Sequence, residues 1–235
     1  MNRPYIICHM TTSIDGKVTG DFLYTPESEA ATEVYYEINR NYKADAFACG
    51  RVTMEGSFTG GFQPDLTPFA GAKENREDYI ADPKAKFFAV SFDRKGRLGW
   101  TAGRIVDEDP GYGDSHIIEV MCEDLVSDAY LAYLKSIGVS YLFAGKAELD
   151  LSLALEKLKT FFGIEKLLLE GGSIINGAFE REGLVDELSL VVAPVIADKA
   201  GKPLFWESKG GAYELKEMKQ MGDSVLWMNY LRKKD

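Results

Sequence analysis

The residues best suited to chemistry lie where a predicted strand turns into a predicted helix, at residues 168–173. Glu170 offers a carboxylate there, and Gly171 and Gly172 follow at once. Glycine lets a ligand approach the backbone, and the N–H groups and dipole at a helix amino terminus attract phosphate. The pattern predicts a pyrophosphate site, with a simple connecting turn as the alternative. The sequence lacks the three-glycine dinucleotide fingerprint, so an ordinary Rossmann domain is not supported.

A second turn of this kind follows the second predicted strand. Gly50 permits close approach, Arg51 carries a planar fork of donors that suits a phosphate, and Thr53 adds a hydroxyl. A solvated surface side chain is the alternative interpretation of Arg51. Ser91, with Arg94, could add contacts to a 2′-phosphate at the end of the third predicted strand, although a solvated turn is the favoured interpretation there.

Hydroxyl side chains precede an acidic turn at the end of the first predicted strand, in residues 11–17. Asp15 followed by Gly16 is a strong hairpin signal, so a purely structural role is one interpretation of this pair. Thr12 and Ser13 need hydrogen-bond partners if the strand end is buried. Their presence therefore indicates a ligand or water beside the turn.

Other kinds of site fit the sequence poorly. His9 and His116 are the two histidines, and the C-x-x-C and H-E-x-x-H patterns are missing, so we predict no metal site. A serine hydrolase needs a G-x-S-x-G elbow, which is also missing. His9 lies on an apolar strand, where a hydrogen-bonded core histidine is the commoner role, but its place near the hydroxyl run keeps a substrate contact open.

Composition limits the classes of partner. With 235 residues, 46% of them apolar, the chain can form one sizeable core, and we expect a single domain over residues 1–235. The net charge of −10 argues against nucleic acid and anionic membrane surfaces. No run approaches the roughly 20 apolar residues of a membrane helix, and the amino terminus lacks a signal-peptide pattern, so a cytoplasmic location is expected. The three widely spaced cysteines predict no disulfide framework.

Strand-like segments alternate with helical patterns, which predicts an α/β sheet covered by helices. Strands are predicted at residues 4–10, 44–49, 86–91, 116–121, 139–144, 165–170, 187–192, 213–218 and 224–232. Helices are predicted after the caps Thr25 and Ser127 and at residues 151–162 and 173–182. Because no helix separates the last three strands, the sheet should finish antiparallel. The expected fold class is α/β, a three-layer α/β/α sandwich with a mixed, mainly parallel central sheet.

Several of these motifs, taken in order, resemble one known family. The segments that carry the resemblance are residues 4–17, 50–53, 170–172, 183–187 and 193–194. Together they are similar to the pyrimidine reductase domain of riboflavin biosynthesis, in the dihydrofolate reductase superfamily, along most of the chain. The resemblance implies a dihydrofolate-reductase-like fold, NADPH as hydride donor, a homodimer, and a small-molecule substrate, a ribosylaminopyrimidine phosphate that is reduced to its ribityl form.

The resemblance also implies roles for individual residues. The implied cofactor contacts are Gly50, Arg51, Thr53, Ser91, Gly171 and Gly172; the implied catalytic residues are Asp15 and Glu170, and Ser13 is an implied substrate contact. Thr12 and His9 are predicted as further substrate contacts because they lie in or beside the same stretch of hydroxyl residues. Hydride transfer to a carbonyl or imine carbon leaves charge on the heteroatom, so an acid or ordered water must supply a proton. We hypothesise that Asp15 positions that donor.

Two positions depart from the family pattern. His9 stands where members commonly carry Lys, and residues 54–58 replace a stretch in which Asp and Pro help to build the substrate pocket. A paralogue that acts on another small carbonyl, imine or pterin-like compound therefore stays open. A dihydrofolate reductase-type enzyme would need Glu27, Glu29 or Glu33 turned inward, and a non-catalytic NADPH-binding protein is a third alternative.

Overall fold

The computed structural model describes residues 2–222 and 224–233. These residues divide into two compact units: the first unit is residues 2–4 and 45–167, and the second unit is residues 5–44 and 168–233 without residue 223. The expectation of one domain over residues 1–235 stays a prediction. Within the described residues, no helix has both the length and the apolar character needed to cross a membrane.

The strands and helices follow one another in the alternating order that the sequence predicts. The strands are β1 (Tyr5–Thr12), β2 (Ala46–Gly50), β3 (Phe88–Phe92), β4 (Arg104–Ile105), β5 (Ser115–Met121), β6 (Ser140–Phe143), β7 (Lys166–Leu169), β8 (Glu187–Val192), β9 (Tyr213–Met221) and β10 (Val225–Arg232). The helices are α1 (Pro26–Tyr42), α2 (Arg51–Met54), α3 (Asp128–Ser136), α4 (Leu151–Phe162) and α5 (Ser173–Arg181).

Parallel strands form the frame of the first unit. β2 pairs with β3, β3 with β5, and β5 with β6, all in parallel, while the short β4 pairs with β5 antiparallel. Phe47, Ile118 and Leu142 are fully buried on these strands. Since parallel strands end at the same edge of a sheet, β2 and β3 bring Gly50 and Ser91 to neighbouring strand ends.

The second unit joins one parallel pair to an antiparallel hairpin. β1 and β8 are parallel, with His9 opposite Ser189, and β10 lies antiparallel to both β8 and β9. α1 covers one face, where Ala31 and Ile38 pack with Val191. The antiparallel finish and the mixed sheet are confirmed.

Helix caps show where local sequence decides the structure. The Ser127 hydroxyl accepts a hydrogen bond from the N–H of Tyr130 at 3.2 Å, as the cap prediction requires. Thr25 occupies the N-cap of α1, but its hydroxyl donates to the carbonyl of Phe22 at 3.1 Å instead of capping the helix. The acids Glu27, Glu29 and Glu33 of α1 are all exposed, so the inward acid of a dihydrofolate reductase-type site is not formed by them.

Candidate active site

The turn after β7 carries the predicted carboxylate. Glu170 is 6% exposed, and its Oε1 accepts a hydrogen bond from Nδ2 of Asn39 at 2.7 Å. Asn39 lies on the buried face of α1 and is 5% exposed. A hydrogen bond from a neutral donor to a carboxylate favours its ionised form. The second unit therefore holds a buried carboxylate in a fixed orientation at the carboxyl end of β7.

The backbone at the next residue requires glycine. Gly171 has a φ of +98°, a region that residues with a side chain rarely adopt. A Cβ atom there would also lie 3.1 Å from Cε of Met10. The peptide bond to Gly172 is cis. The backbone conformation at residue 171 therefore favours glycine.

Helix α5 begins directly behind the two glycines. Gly172 is its N-cap residue and has no side chain with which to cap the helix, whose nine residues start at Ser173. The Ser173 hydroxyl donates to the carbonyl of Pro203 at 2.5 Å. The positive end of the helix dipole thus lies next to a glycine N-cap, a combination that suits a phosphate group.

The turn that carries Asp15 is tied down by its own hydroxyl. Ser13, which is 1% exposed, donates from Oγ to Oδ1 of Asp15 at 2.7 Å, and its Oγ accepts from the N–H of Lys17 at 2.9 Å. The N–H of Ala197 also donates to Asp15 Oδ1, at 3.0 Å. The Ser13 and Ala197 hydrogen bonds lower the pKa of Asp15. Asp15 is therefore ionised at neutral pH, so it can orient a proton donor but cannot itself be the donor.

Thr12 and Ser13 border a cavity of about 490 Å³ in the second unit. Thr12, at the end of β1, is 4% exposed, and its carbonyl accepts from the N–H of Ala193 at 2.8 Å. Most of the other lining side chains are apolar, and four of them come from β8 and β10: Leu190, Val192, Leu226 and Met228. Thr12 and Ser13 thus lie at the border of a cavity whose lining is mostly apolar.

His9 lies in the core beneath α1. Its ring is fully buried and stacks on Tyr35, with ring centroids 4.3 Å apart. Nε2 lies 3.0 Å from the carbonyl oxygen of Tyr35, and Nδ1 lies 3.0 Å from Ser189 Oγ and 3.3 Å from the carbonyl oxygen of Ser189, so both ring nitrogens have hydrogen-bond partners. Burial lowers the pKa of His9 to about 4. This environment matches the core-histidine interpretation; the substrate contact stays a prediction.

The first unit presents the other predicted phosphate contacts. Gly50 has an ordinary φ of −75° and precedes α2. Arg51 donates to Glu55 one turn later at 2.8 Å, and the two side chains are 27% and 30% exposed. Thr53 is half-buried on the same short helix. Arg51 is thus accessible to an anion, but Glu55 competes for it.

Ser91 has a different environment from the one expected of a ligand contact. It is fully buried on β3, opposite Glu119 of β5 in register. Oε1 of Glu119 accepts from the indole N–H of Trp100. Burial, and then the charge of Asp93, raise the pKa of Glu119 well above its usual range. The structure therefore places Ser91 beside a buried acid whose ionised form is disfavoured by burial, and its role as a cofactor contact stays a prediction.

The predicted residues fall into groups within each unit. In the second unit, Ser13 contacts Asp15, and Glu170 leads into Gly171 and Gly172; in the first unit, Gly50 and Ser91 lie on paired strands. Sequence reasoning missed Asn39. The available signal was a polar residue within the buried stripe of α1, four positions after Tyr35, where a solvated side chain is not expected.

Comparison with known proteins identifies similar sequences. The family model of the RibD C-terminal domain matches residues 114–227. The 2,5-diamino-6-ribosylamino-4(3H)-pyrimidinone 5′-phosphate reductase of Aquifex aeolicus is 30% identical over 216 residues, which cover 89% of this chain and 85% of that enzyme. The enzyme of the same name from Methanothermobacter thermautotrophicus is 49% identical over 53 residues, which cover 23% of this chain and 24% of that enzyme.

Solved structures share the fold. A pyrimidine reductase-like protein of Corynebacterium diphtheriae matches with a TM-score of 0.70 at 19% identity, over 100% of this chain and 94% of that one. RibD of Acinetobacter baumannii matches with a TM-score of 0.66 at 20% identity; this chain spans 59% of it and is itself covered to 99%. Dihydrofolate reductase of Enterococcus faecalis, complexed with NADP(H), gives 0.50 at 10% identity, over 98% of this chain and 97% of that one. The dihydrofolate-reductase-like α/β fold is confirmed.

Proposed function

The chain belongs to the family of RibD C-terminal domain pyrimidine reductases, and from that premise we propose that it is an NADPH-dependent oxidoreductase. Its proposed substrate is a ribosylaminopyrimidine phosphate like that named for its relatives. The observation that carries the proposal is the turn at Glu170, where a buried, hydrogen-bonded carboxylate precedes a glycine backbone that opens onto α5. A fixed carboxylate beside a phosphate-binding backbone suits a phosphorylated, hydroxyl-rich substrate and a dinucleotide.

The residues fit the proposed cofactor. Gly171 and Gly172 add no side chain of their own at the amino terminus of α5, whose N–H groups suit a pyrophosphate. Gly50, Arg51 and Thr53 are proposed to contact the phosphates as well, with Arg51 supplying charge. When bound, NADPH supplies the hydride for reduction of a carbonyl or imine carbon.

The residues of the chain supply orientation and proton control. Glu170, held by Asn39, is proposed to accept hydrogen bonds from substrate hydroxyl or N–H groups. Asp15 is ionised, so we propose that it holds the water or acid that delivers the proton to the heteroatom. Ser13 fixes the Asp15 carboxylate through its hydroxyl and so completes the turn.

A homodimer is part of the proposal. Met218 and Leu226, on β9 and β10, are 58% and 37% exposed, and Leu226 also lines the apolar cavity of the second unit. An open apolar sheet face of this kind is suited to burial against a second copy. Analytical ultracentrifugation should give a mass of twice that of the chain, and Leu226→Glu should shift the measured mass toward that of the monomer.

A cytoplasmic location is proposed on the same family premise.

The test is an activity assay. The purified chain is incubated with NADPH and either 2,5-diamino-6-ribosylamino-4(3H)-pyrimidinone 5′-phosphate, its deaminated uracil counterpart, or dihydrofolate, and NADPH oxidation is followed with product mass. We expect turnover of one of the ribosylaminopyrimidines. Turnover of dihydrofolate alone would overturn the substrate assignment, and NADPH binding without any turnover would indicate a non-catalytic binding protein.

Asp15→Asn tests the proton step. It keeps the shape of the turn and removes the charge, and acid–base contributions of this type are worth about a hundredfold or more in rate. We expect kcat to fall by about a hundredfold while the Kd for NADPH stays within about threefold. Equal turnover in the variant would remove Asp15 from the mechanism.

A further inference from the structure

We propose that Asn39 is a positioning residue that fixes and ionises the carboxylate of Glu170; this inference rests on the proposed function. The contact joins residues that are 131 positions apart, at 2.7 Å, with both side chains nearly excluded from solvent. A carboxylate can only accept hydrogen bonds, so the Asn39 amide must present its NH₂ group to it. The direction of the bond is thus set by chemistry.

The helix gives no packing reason for an asparagine at this position. Asn39 lies next to Ile38 on the buried face of α1, and Ala31 packs on the same side. An apolar side chain would continue that face, whereas a buried amide destabilises the fold unless it is hydrogen-bonded. The amide is therefore best explained by its partner, Glu170.

The hydrogen bond acts on both the geometry and the charge of Glu170. With Oε1 committed to Asn39, rotation of the carboxylate is restricted, so its plane keeps one orientation at the end of β7. The bond also favours the ionised form, against the burial that disfavours it. Cys8 is the neighbouring titratable group on β1; burial, and then the charge of Glu170, raise the pKa of its thiol, so it stays neutral. Asn39 thus donates a hydrogen bond that helps to hold a negative charge at this position.

Asn39→Leu removes the donor and keeps the side-chain size. Asn41→Leu is the matched control, because Asn41 is exposed on the same helix. A hydrogen bond to a charged group corresponds to about a tenfold to hundredfold change in an equilibrium. We expect kcat/KM of Asn39→Leu to fall by about that factor, with its acidic limb moved to higher pH, and Asn41→Leu to match the wild type.

Carbon-13 NMR of the labelled Glu170 carboxyl, assigned with Glu170→Gln, gives a readout that does not depend on activity. The Glu170 pKa should rise in Asn39→Leu and stay unchanged in Asn41→Leu. An unchanged pKa overturns the inference even if the wild type is an active reductase. A raised pKa in a protein without reductase activity would instead sink the proposed function and leave the contact established.

A double-mutant cycle separates positioning from a merely structural role. In the Glu170→Gln background, Asn39→Leu should cost little further kcat/KM, because the charge that Asn39 orients is gone. An equal loss in both backgrounds overturns the inference. If Asn39→Leu does not fold, Asn39→Gln keeps an amide but displaces it by one methylene, and a smaller shift of the same sign is expected; wild-type values would again overturn it.

Discussion

The two glycine-bearing turns look alike in sequence and differ in construction. At Gly50, the backbone is ordinary and the functional group is an accessible arginine that pairs with Glu55. At Gly171, the backbone conformation itself demands glycine, and the preceding carboxylate is buried and held by α1. A charged side chain on the surface can be exchanged with little effect on the fold, whereas a buried polar contact cannot.

The difference predicts where each unit is vulnerable. The turn in the second unit depends on the packing of α1, which is anchored by the stack of Tyr35 on His9 as well as by Asn39. The phosphate role proposed for the turn in the first unit depends on Arg51, whose side chain is partly exposed. Substitutions in the buried core should therefore disturb the turn of the second unit. Substitutions that change the charge of Arg51 should affect only ligand binding at the turn of the first unit.

The largest expected effect is acid destabilisation through His9. Its folded pKa of about 4 lies below the unfolded value near 6.5. The unfolded chain therefore binds the proton more tightly, so the stability contributed by neutral His9 is complete above about pH 6.5 and is lost as the pH falls toward 4. The loss is on the order of 3 kcal/mol, measured as the free energy of unfolding in urea across this range.

Variants assign that loss to one histidine. His9→Gln cannot titrate, so the difference in unfolding free energy between wild type and variant should narrow as the pH falls from about 6.5 to 4. His116 of the first unit also has a pKa lowered by burial and accepts or donates at Ser140 Oγ at 2.7 Å. His116→Gln should narrow the difference in the same direction, and it measures the contribution of that histidine separately. A difference that does not change with pH for His9→Gln would contradict the assignment.

The next effect is that of a side chain at Gly171. Gly171→Ala forces alanine to a φ of +98° and brings its Cβ to 3.1 Å from Met10. We expect a loss of about 1–3 kcal/mol in unfolding free energy and about a tenfold weaker NADPH Kd by titration calorimetry. Gly183→Ala is the control, because Gly183 has a φ of +70° and, among the described residues beyond its chain neighbours, none would lie within 4 Å of an added Cβ. It should lose stability while NADPH affinity is unchanged.

Local signals predicted the elements of the fold well. The predicted bounds of residues 151–162 and 187–192 agree with α4 and β8, and the Asp150 carboxylate caps α4 by accepting from the N–H of Leu153 at 2.8 Å. These features depend on residues within a few positions of one another. β4, Arg104–Ile105, was missed because two residues are too short for a periodic pattern.

The site was predictable in its residue types but not in its contacts. Glu170, Gly171 and Asp15 follow from motifs that are contiguous in the chain. The partner of Glu170 lies 131 positions away on α1, and Ser91 lies opposite Glu119 only because β3 and β5 pair in register. Such partners are set by tertiary packing, which a single sequence does not display.

The smallest expected effect tests the exposed turn. Arg51→Gln removes the guanidinium and its surface ion pair with Glu55, which is worth at most about 1 kcal/mol to the fold. If Arg51 contacts the 2′-phosphate, the variant should bind NADPH about tenfold more weakly and NADH unchanged, measured by fluorescence titration. Glu55→Gln is the matched control: it releases Arg51, so NADPH affinity should hold or increase. Equal weakening of NADH and NADPH binding in Arg51→Gln would contradict a 2′-phosphate role for Arg51, and so would equal affinity of the wild type for the two cofactors. Either result would leave the buried turn of the second unit as the supported cofactor contact among those proposed.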